Sequence, residues 1–187
     1  TACGGSSSST AASASSASSG AAASSKGLSE LFTYETSGRE IESWNMLYSQ
    51  QAIDFNVTTN IIDGLVSFDN YGKPVPALAK SWEHNEDSTV WTFHLRDDVD
   101  WVDMNGEVQD HLTSKDFLVG FEWVLNAKKN QAANTSMPST TVVGAADYYD
   151  KTYGMDDAAG EALTYEDMLA AGVGIDAPDD YTIVYTC

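Results

Sequence analysis

The stretch that decides the fold runs from Pro76 to Trp101 and reads PALAKSWEHNEDSTVWTFHLRDDVDW. Apolar and polar residues alternate over positions 91–96, WTFHLR, which is the period-two pattern of a half-buried strand. The polar break NEDS at 85–88 separates this run from an earlier aromatic-containing run and is typical of a hairpin loop. The stretch therefore predicts two antiparallel strands.

Downstream of this hairpin, the pattern predicts two helices and two more strands. A helix begins at Thr113 or Ser114, whose hydroxyl can cap it, and its apolar face comprises Phe117, Leu118, Phe121, Val124 and Leu125. A capping box predicts a shorter helix after Thr164. Strands are predicted at 174–176 and 181–185, around a turn at 177–180. Short strands and helices without a βαβ rhythm predict an α+β fold.

Upstream of the hairpin, the pattern predicts a strand over 28–36, a short helix over 56–63 and a strand over 65–68. Asn56 is expected to cap the helix, and Gly64 is expected to end it. The strand tryptophans Trp82, Trp91 and Trp101 are expected to form core rather than a ligand platform, because such residues usually pack inside a small sheet.

The charge of the chain limits its partners. Its 187 residues include 28 acidic and 9 basic side chains, for a net charge of -19. Such acidity argues against nucleic acid and anionic lipid, since both attract Lys and Arg. Two interpretations stay open, a solvated surface or an attraction for cationic ligands. No apolar run approaches the roughly 20 residues that a membrane helix needs.

Motifs that would indicate an enzyme or a metal site are absent from the sequence. The histidines His84, His94 and His111 occur without a G-x-S-x-G nucleophile elbow. The acidic stretch from Asp97 to Asn105 does not have the spacing of a calcium loop. Nothing singles out a pair of carboxylates for glycoside hydrolysis. We therefore predict a binding protein that is not an enzyme and needs no cofactor or metal.

The first residues predict a membrane anchor. The sequence opens TACG and continues to Ser25 with only Gly, Ser, Ala and Thr. Small residues before Cys-Gly are typical of the end of a bacterial lipoprotein signal, and a tract of small polar residues is a flexible tether. We expect Cys3 to carry lipid, residues 1–26 to be the lipobox remnant and tether, and residues 27–187 to fold. The alternative for Cys3 is an ordinary free thiol.

Five blocks, in one order along the chain, carry a family resemblance. They are NVTTNIIDGL at 56–65, GKPVPALAKSW at 72–82, WTFHLRDDVDW at 91–101, TSKDF at 113–117 and VGIDAPDDYT at 173–182. Together they resemble the extracellular solute-binding proteins of family 5, the oligopeptide-binding type that serves peptide and nickel ABC importers. The long loop WVDMNGEVQDHLT at 101–113 resembles the variant found in Gram-positive peptide binders.

The resemblance implies a fold, a site and partners. The implied fold is the N-terminal subdomain of a type II (cluster C) periplasmic-binding-protein-like fold, a small mixed sheet with flanking helices. Residues 27–187 would form this partial solute-binding domain, the first lobe, and the second lobe would be missing from this chain. Asp54, Phe55 and Asn56 align with the family segment that faces the ligand, where Asp54 is placed to meet a cationic group of a peptide held in an extended form.

The same resemblance implies a monomeric lipoprotein on the extracellular face of a Gram-positive membrane. It would capture oligopeptides and present them to ABC permease subunits, by lobe closure rather than catalysis. Two alternatives stay open. One is a stand-alone surface structural or adhesion domain, and the other is a binder of a non-peptide solute such as nickel or a sugar.

Overall fold

The computed structural model describes residues 40–45, 47, 49, 51–129 and 136–187. In chain order, the elements are α1 (Ala52–Thr58), β1 (Val66–Phe68), β2 (Pro74–Pro76), β3 (Ala79–His84), β4 (Val90–Leu95), β5 (Asp100–Val102), β6 (Val108–His111), α2 (Ser114–Leu125), α3 (Ser136–Thr141), α4 (Ala145–Tyr153), α5 (Asp157–Glu161), α6 (Tyr165–Ala170), β7 (Ile175–Asp179) and β8 (Thr182–Thr186). The predicted strand at 28–36, the tether over 1–26 and Cys3 lie outside the described residues and stay predictions.

The main sheet has four antiparallel strands in the order β3-β4-β8-β7. The predicted hairpin is confirmed, because β3 pairs with β4 and places Trp82 opposite Phe93. Strand β8 follows far along the chain, yet it lies between β4 and β7. The central strands contribute Leu95 and Ile183 to the core, where both side chains are fully buried.

Helix α2 covers this sheet and begins where the sequence predicts. At its N-terminus, the Asp116 carboxylate accepts a hydrogen bond from the Thr113 backbone N–H at 2.7 Å and completes a capping box. Its inner face buries Leu118 and Leu125 in one core with residues of α4, α6, β7 and β8. Helix α6 begins with a capping box at Thr164, as predicted. These local signals therefore set both helix starts correctly.

Two separate hairpins, β1–β2 and β5–β6, complete the described strands. Their turns are built alike. The Asp69 carboxylate accepts hydrogen bonds from the backbone N–H groups two and four residues onward at 2.8 and 2.9 Å, and Asp103 does the same at 2.8 and 3.0 Å. Gly72 and Gly106 follow with φ of 76° and 81°, which side chains with a Cβ rarely adopt. The spellings DNYG and DMNG therefore specify both turns.

The predicted helix over 56–63 is wrong in its boundaries. Helix α1 covers Ala52–Thr58, and its N-cap is Gln51 rather than Asn56. Ile53 and Thr58 are buried and Asn56 is exposed, so the side chains that pack inside begin earlier than the capping pattern suggests. Tertiary packing has overridden the local signal here.

The prediction that all three strand tryptophans are core is also wrong. Trp82 and Trp91 are half-buried, and Trp101 is 44% exposed. Trp101 belongs to β5, which pairs only with β6 in a two-stranded hairpin instead of joining the main sheet. Strand β5 therefore lies outside the main sheet, and its indole stays partly exposed.

Candidate functional site

An apolar cavity of about 420 Å³ opens along one face of α2, and we call it the apolar groove. It is lined by Trp44, Asn45, Leu47, Ile62, Asp63, Leu78, Trp101, Leu112, Asp116, Phe117, Gly120, Phe121, Val124, Pro138 and Tyr185. A concave, mostly apolar surface with a few polar groups is the usual form of a ligand pocket. It is therefore the candidate site within the described residues.

The groove has a packed floor and exposed aromatic edges. Phe117 and Phe121 lie one helical turn apart on α2, and the Phe121 ring meets the Tyr185 ring edge-on with centroids 5.8 Å apart. Burial raises the pKa of Tyr185 to about 12, so this phenol stays neutral at physiological pH. At the edges, Trp44 is 61% exposed and Trp101 is 44% exposed. Both indoles are thus available to an occupant of the groove.

The charged groups along the groove are acidic. Asp63 and Asp116 line it, and no Lys, Arg or His occurs among its described lining residues. The nearby Arg96 guanidinium donates to both oxygens of Asp98 at 2.8 and 3.1 Å. The pKa of Arg96 is raised first by this hydrogen bond to Asp98 and also by the negative charge of Asp63. Arg96 is thus already paired with Asp98, and Asp63 and Asp116 give the groove a negative charge.

Asp54, a predicted ligand residue, is fully buried on α1. Its carboxylate accepts hydrogen bonds from the backbone N–H groups of Glu42 at 2.9 Å and Ser43 at 3.1 Å, and from the Ser49 hydroxyl at 2.5 Å. These bonds, the one from Ser49 above all, hold the pKa of Asp54 below its ordinary value although burial opposes them. Asp54 thereby positions the segment that brings Trp44 to the groove.

The other two predicted ligand residues are neighbours of Asp54 on α1. Phe55 is half-buried and Asn56 is exposed, and the Asn56 backbone carbonyl accepts a hydrogen bond from the Asn60 side chain at 2.9 Å. None of the three belongs to the described lining of the groove. Direct ligand contact by Asp54, Phe55 and Asn56 stays a prediction.

The sequence does not predict that Trp44 and Trp101 form the aromatic edges of the groove, and the reasons differ for the two residues. Trp44 lies in a segment without regular periodicity, so no pattern marks which way its side chain faces. Trp101 lies inside the family signature, and the usual packing of strand tryptophans predicts a core position for it. The signal for Trp101 was its position beside the turn DMNG, because a turn so close leaves room for only a short hairpin.

A second cluster of polar residues lies inside the molecule, and we call it the buried polar network. Glu122 accepts hydrogen bonds from Asn126 at 2.8 Å, Tyr148 at 3.0 Å and Lys129 at 2.7 Å. Asn126 also donates to the Gly160 carbonyl at 2.8 Å, and Lys129 donates to the Leu163 carbonyl. Burial and the Glu122 charge raise the pKa of Tyr148. Each of these side chains has partners within the fold, so the network indicates structural support rather than chemistry.

The histidines are not brought together. His84 and His94 lie on β3 and β4, and His111 on β6 is hydrogen-bonded through Nδ1 to the Asp100 carboxylate at 2.7 Å. Across the part of the chain that the structure describes, no group of three His, Cys, Asp or Glu side chains is arranged to hold a metal ion. The same residues include no helix with the length and apolarity needed to cross a membrane.

Comparison with known proteins identifies the class. The family model described as bacterial extracellular solute-binding proteins, family 5 Middle, matches residues 73–187, which include the main sheet and helix α2. The chain therefore belongs to this family of solute-binding proteins, as the sequence blocks predict.

The curated relatives narrow this class. The chain is similar to the oligopeptide-binding protein SarA of Streptococcus gordonii, with 30% identity over 145 residues, 78% of this chain and 19% of SarA. It is also similar to the oligopeptide-binding protein AmiA of Streptococcus pneumoniae, with 34% identity over 145 residues and the same coverage, 78% and 19%. The chain spans about a fifth of the length of these relatives.

Solved structures show the same fold. The substrate-binding domain of an oligopeptide ABC transporter from Bacillus anthracis matches with a TM-score of 0.61 and 26% identity, over 81% of this chain and 25% of that one. Haemophilus influenzae OppA, solved with the peptide RPPGFSPFR, matches with a TM-score of 0.54 and 27% identity, over 76% and 24%. The described residues are thus an α+β fragment of the type II periplasmic-binding-protein fold, as predicted.

Proposed function

We propose that this chain is part of a substrate-binding protein that captures oligopeptides outside the cell and presents them to an ABC importer. The observation that carries the proposal is the similarity to oligopeptide-binding proteins across 78% of the chain, together with the family match over residues 73–187. The solved neighbour from Haemophilus influenzae, which binds the peptide RPPGFSPFR, supports the same ligand class.

The mechanism is binding and closure rather than catalysis. An extended peptide that is held through its main chain leaves its side chains free to vary, and a ligand that binds the closed form more tightly shifts the protein toward it. This chain would contribute one wall of the cleft. The α1 residues Asp54, Phe55 and Asn56 are proposed to face the ligand, with Asp54 acting through the segment that its carboxylate holds in place.

The location proposed is the extracellular face of a Gram-positive membrane, where lipid on Cys3 would anchor a monomeric protein through the tether 1–26. The sequence TACG and the Gly/Ser/Ala/Thr tract that follows support this. Stable anchoring requires two or more acyl chains. Mass spectrometry of the native N-terminus should find a diacylated or triacylated Cys3, and an unmodified thiol there would contradict the anchor.

The ligand class is tested by calorimetry on the full-length protein encoded by the gene. We expect saturable binding of RPPGFSPFR and of a mixed oligopeptide pool, and no binding of nickel or simple sugars. Binding of nickel or a sugar in place of every peptide would replace the peptide proposal with a different solute. The absence of any ligand would favour the alternative of a surface structural or adhesion domain.

A further inference from the structure

The peptide-binding proposal leaves two features unused, namely the apolar groove and the acidic excess along it. We propose that the groove is a subsite for an aromatic or long aliphatic side chain of a positively charged peptide, whose cationic group lies beside Asp63. This inference rests on the proposed function and specifies the ligand class.

The shape and lining of the groove favour an apolar side chain. A cavity of about 420 Å³ lies within the roughly 300–1,000 Å³ typical of small-ligand sites, and it has room for a large aromatic ring. Trp44 and Trp101 present exposed indoles at its edges, while Phe117 and Phe121 line its α2 side. Aromatic rings prefer edge-to-face and offset contacts with one another, which this lining can offer to a Phe, Tyr or Trp side chain.

Charge complementarity adds the requirement for a cation. Asp63 lines the groove. The negative charge of Asp63 raises the pKa of Arg96, but the Arg96 guanidinium is already hydrogen-bonded to Asp98. Asp116 adds a second carboxylate, although it also caps α2. A Lys or Arg side chain next to the seated apolar residue would offset this excess. A Glu or Asp side chain there would be repelled.

The same charge disfavours other occupants of the groove. A second copy of this chain would bring a further net charge of -19 against an acidic surface, and an anionic lipid surface would be repelled as well. A cationic peptide is the partner whose chemistry fits both the lining and the charge. Coverage by another part of a longer polypeptide is an outcome that the experiment below detects.

The test uses three matched peptides and the full-length protein. Calorimetry compares RPPGFSPFR with RPPGSSPSR, which lacks the aromatic side chains, and with EPPGFSPFE, which reverses the charge. We expect RPPGFSPFR to bind, and each altered peptide to bind at least about tenfold more weakly, because one loses the aromatic anchor and the other loses the charge match. Equal affinity for all three peptides would overturn the inference and leave the proposed function standing.

Variants of the protein locate the effect. Trp101→Ala should weaken RPPGFSPFR binding about tenfold, as expected for loss of an aromatic anchor, and Asp63→Asn about threefold, as expected for a partly exposed ion pair. The matched controls are Tyr71→Ala, which removes an aromatic side chain that is 95% exposed, and Asp87→Asn in the exposed β3–β4 turn. Both controls should bind like the wild type.

Three other outcomes would contradict the inference. If RPPGFSPFR binds but Trp101→Ala and Asp63→Asn leave its affinity unchanged, the groove is not the subsite, although the peptide function holds. If Trp101→Ala instead lowers the melting temperature sharply without changing the affinity, another part of the polypeptide covers the groove. If no peptide binds at all, the inference and the proposed function both fail.

Discussion

Helix α2 serves two regions of opposite character. One face, which includes Phe117 and Phe121, lines the apolar groove, where Trp101 of the neighbouring hairpin is 44% exposed. Another face carries Glu122 into the buried polar network, where that side chain is only 2% exposed. One helix therefore places a carboxylate inside the protein and an apolar surface beside solvent.

This difference shows that partners, rather than residue type, decide what is buried. A buried carboxylate is tolerated when hydrogen bonds and a counter-charge replace water, and Asn126, Lys129 and Tyr148 provide these to Glu122. The free energy falls, by contrast, when a partner covers exposed apolar surface. The hydrogen-bond partners of Glu122 all lie within the described residues. The groove, by contrast, offers apolar surface that a ligand could bury.

The largest effect is expected from breaking the buried polar network. Glu122→Ala would leave the Lys129 ammonium without its carboxylate and the Tyr148 hydroxyl without its acceptor. We expect a loss of about 3–5 kcal/mol in the free energy of unfolding, because one partner of a buried pair is removed. Urea denaturation measures it. Glu86→Ala, in the exposed β3–β4 turn, should change stability by less than about 0.5 kcal/mol, and a similar small loss for Glu122→Ala would contradict the role of the network.

A smaller loss of stability, confined to one segment, is expected when Asp54 is replaced. Asp54→Ala removes the acceptor for two backbone N–H groups and the Ser49 hydroxyl, so the segment around Glu42 should open more often. Limited proteolysis should show faster cleavage there while the main sheet resists. Unchanged cleavage in Asp54→Ala would mean that the carboxylate does not hold this segment.

The contribution of Asp54 should also depend on pH. Its pKa in the folded protein lies below the ordinary 3.8, so the stability it adds is fully present above pH 3.8 and is lost as the pH falls through the lower folded value. Thermal unfolding of the wild type and Asp54→Asn should therefore differ at pH 6 and converge in strong acid. A difference that persists at low pH would assign the effect to shape rather than charge.

A still smaller change in stability is expected in the groove. Trp101→Ala removes a partly exposed side chain from β5 and should cost less than about 1 kcal/mol. The contrasting variant is Leu125→Ala, which empties a fully buried position on the same helix as the network and should cost about 2–5 kcal/mol. Urea denaturation of both variants checks the ranking, and a large loss for Trp101→Ala would mean that the groove is core.

The smallest effect concerns the pair of His111 and Asp100 in the β5–β6 hairpin. The hydrogen bond to Asp100 raises the pKa of His111 above its ordinary 6.5, so its stabilisation is fully present below pH 6.5 and is lost as the pH rises through the folded value. Both side chains are 40% exposed, so the melting temperatures of wild type and His111→Gln should differ by only about 1–2 °C at pH 5.5. That difference should shrink at pH 8.5. A difference that grows with pH would contradict a raised pKa of His111 in the folded protein.

Features that depend on near neighbours were predicted well. The hairpin around 85–88 and the helix start at Thr113 follow from alternation and capping, which act within a few residues. The long-range contacts of the buried polar network could not be predicted, because Tyr148 lies 26 positions after Glu122 and Gly160 lies 34 positions after Asn126. Likewise, Asp54 reads as a surface residue until the backbone of Glu42 and Ser43 is seen to fold over it. The groove, too, is formed by residues far apart in the sequence and could not be predicted from near neighbours.

The position of β8 has a consequence for how the chain is made. This strand fills the gap between β4 and β7, yet it follows both along the chain, so a ribosome exposes the β3–β4 hairpin long before its central neighbour exists. Until then, the free edge of β4 is a template for pairing with other chains. We expect nascent molecules that stop before residue 182 to aggregate or to recruit chaperones, which makes the synthesis of β8 the step that commits the sheet to its native partners.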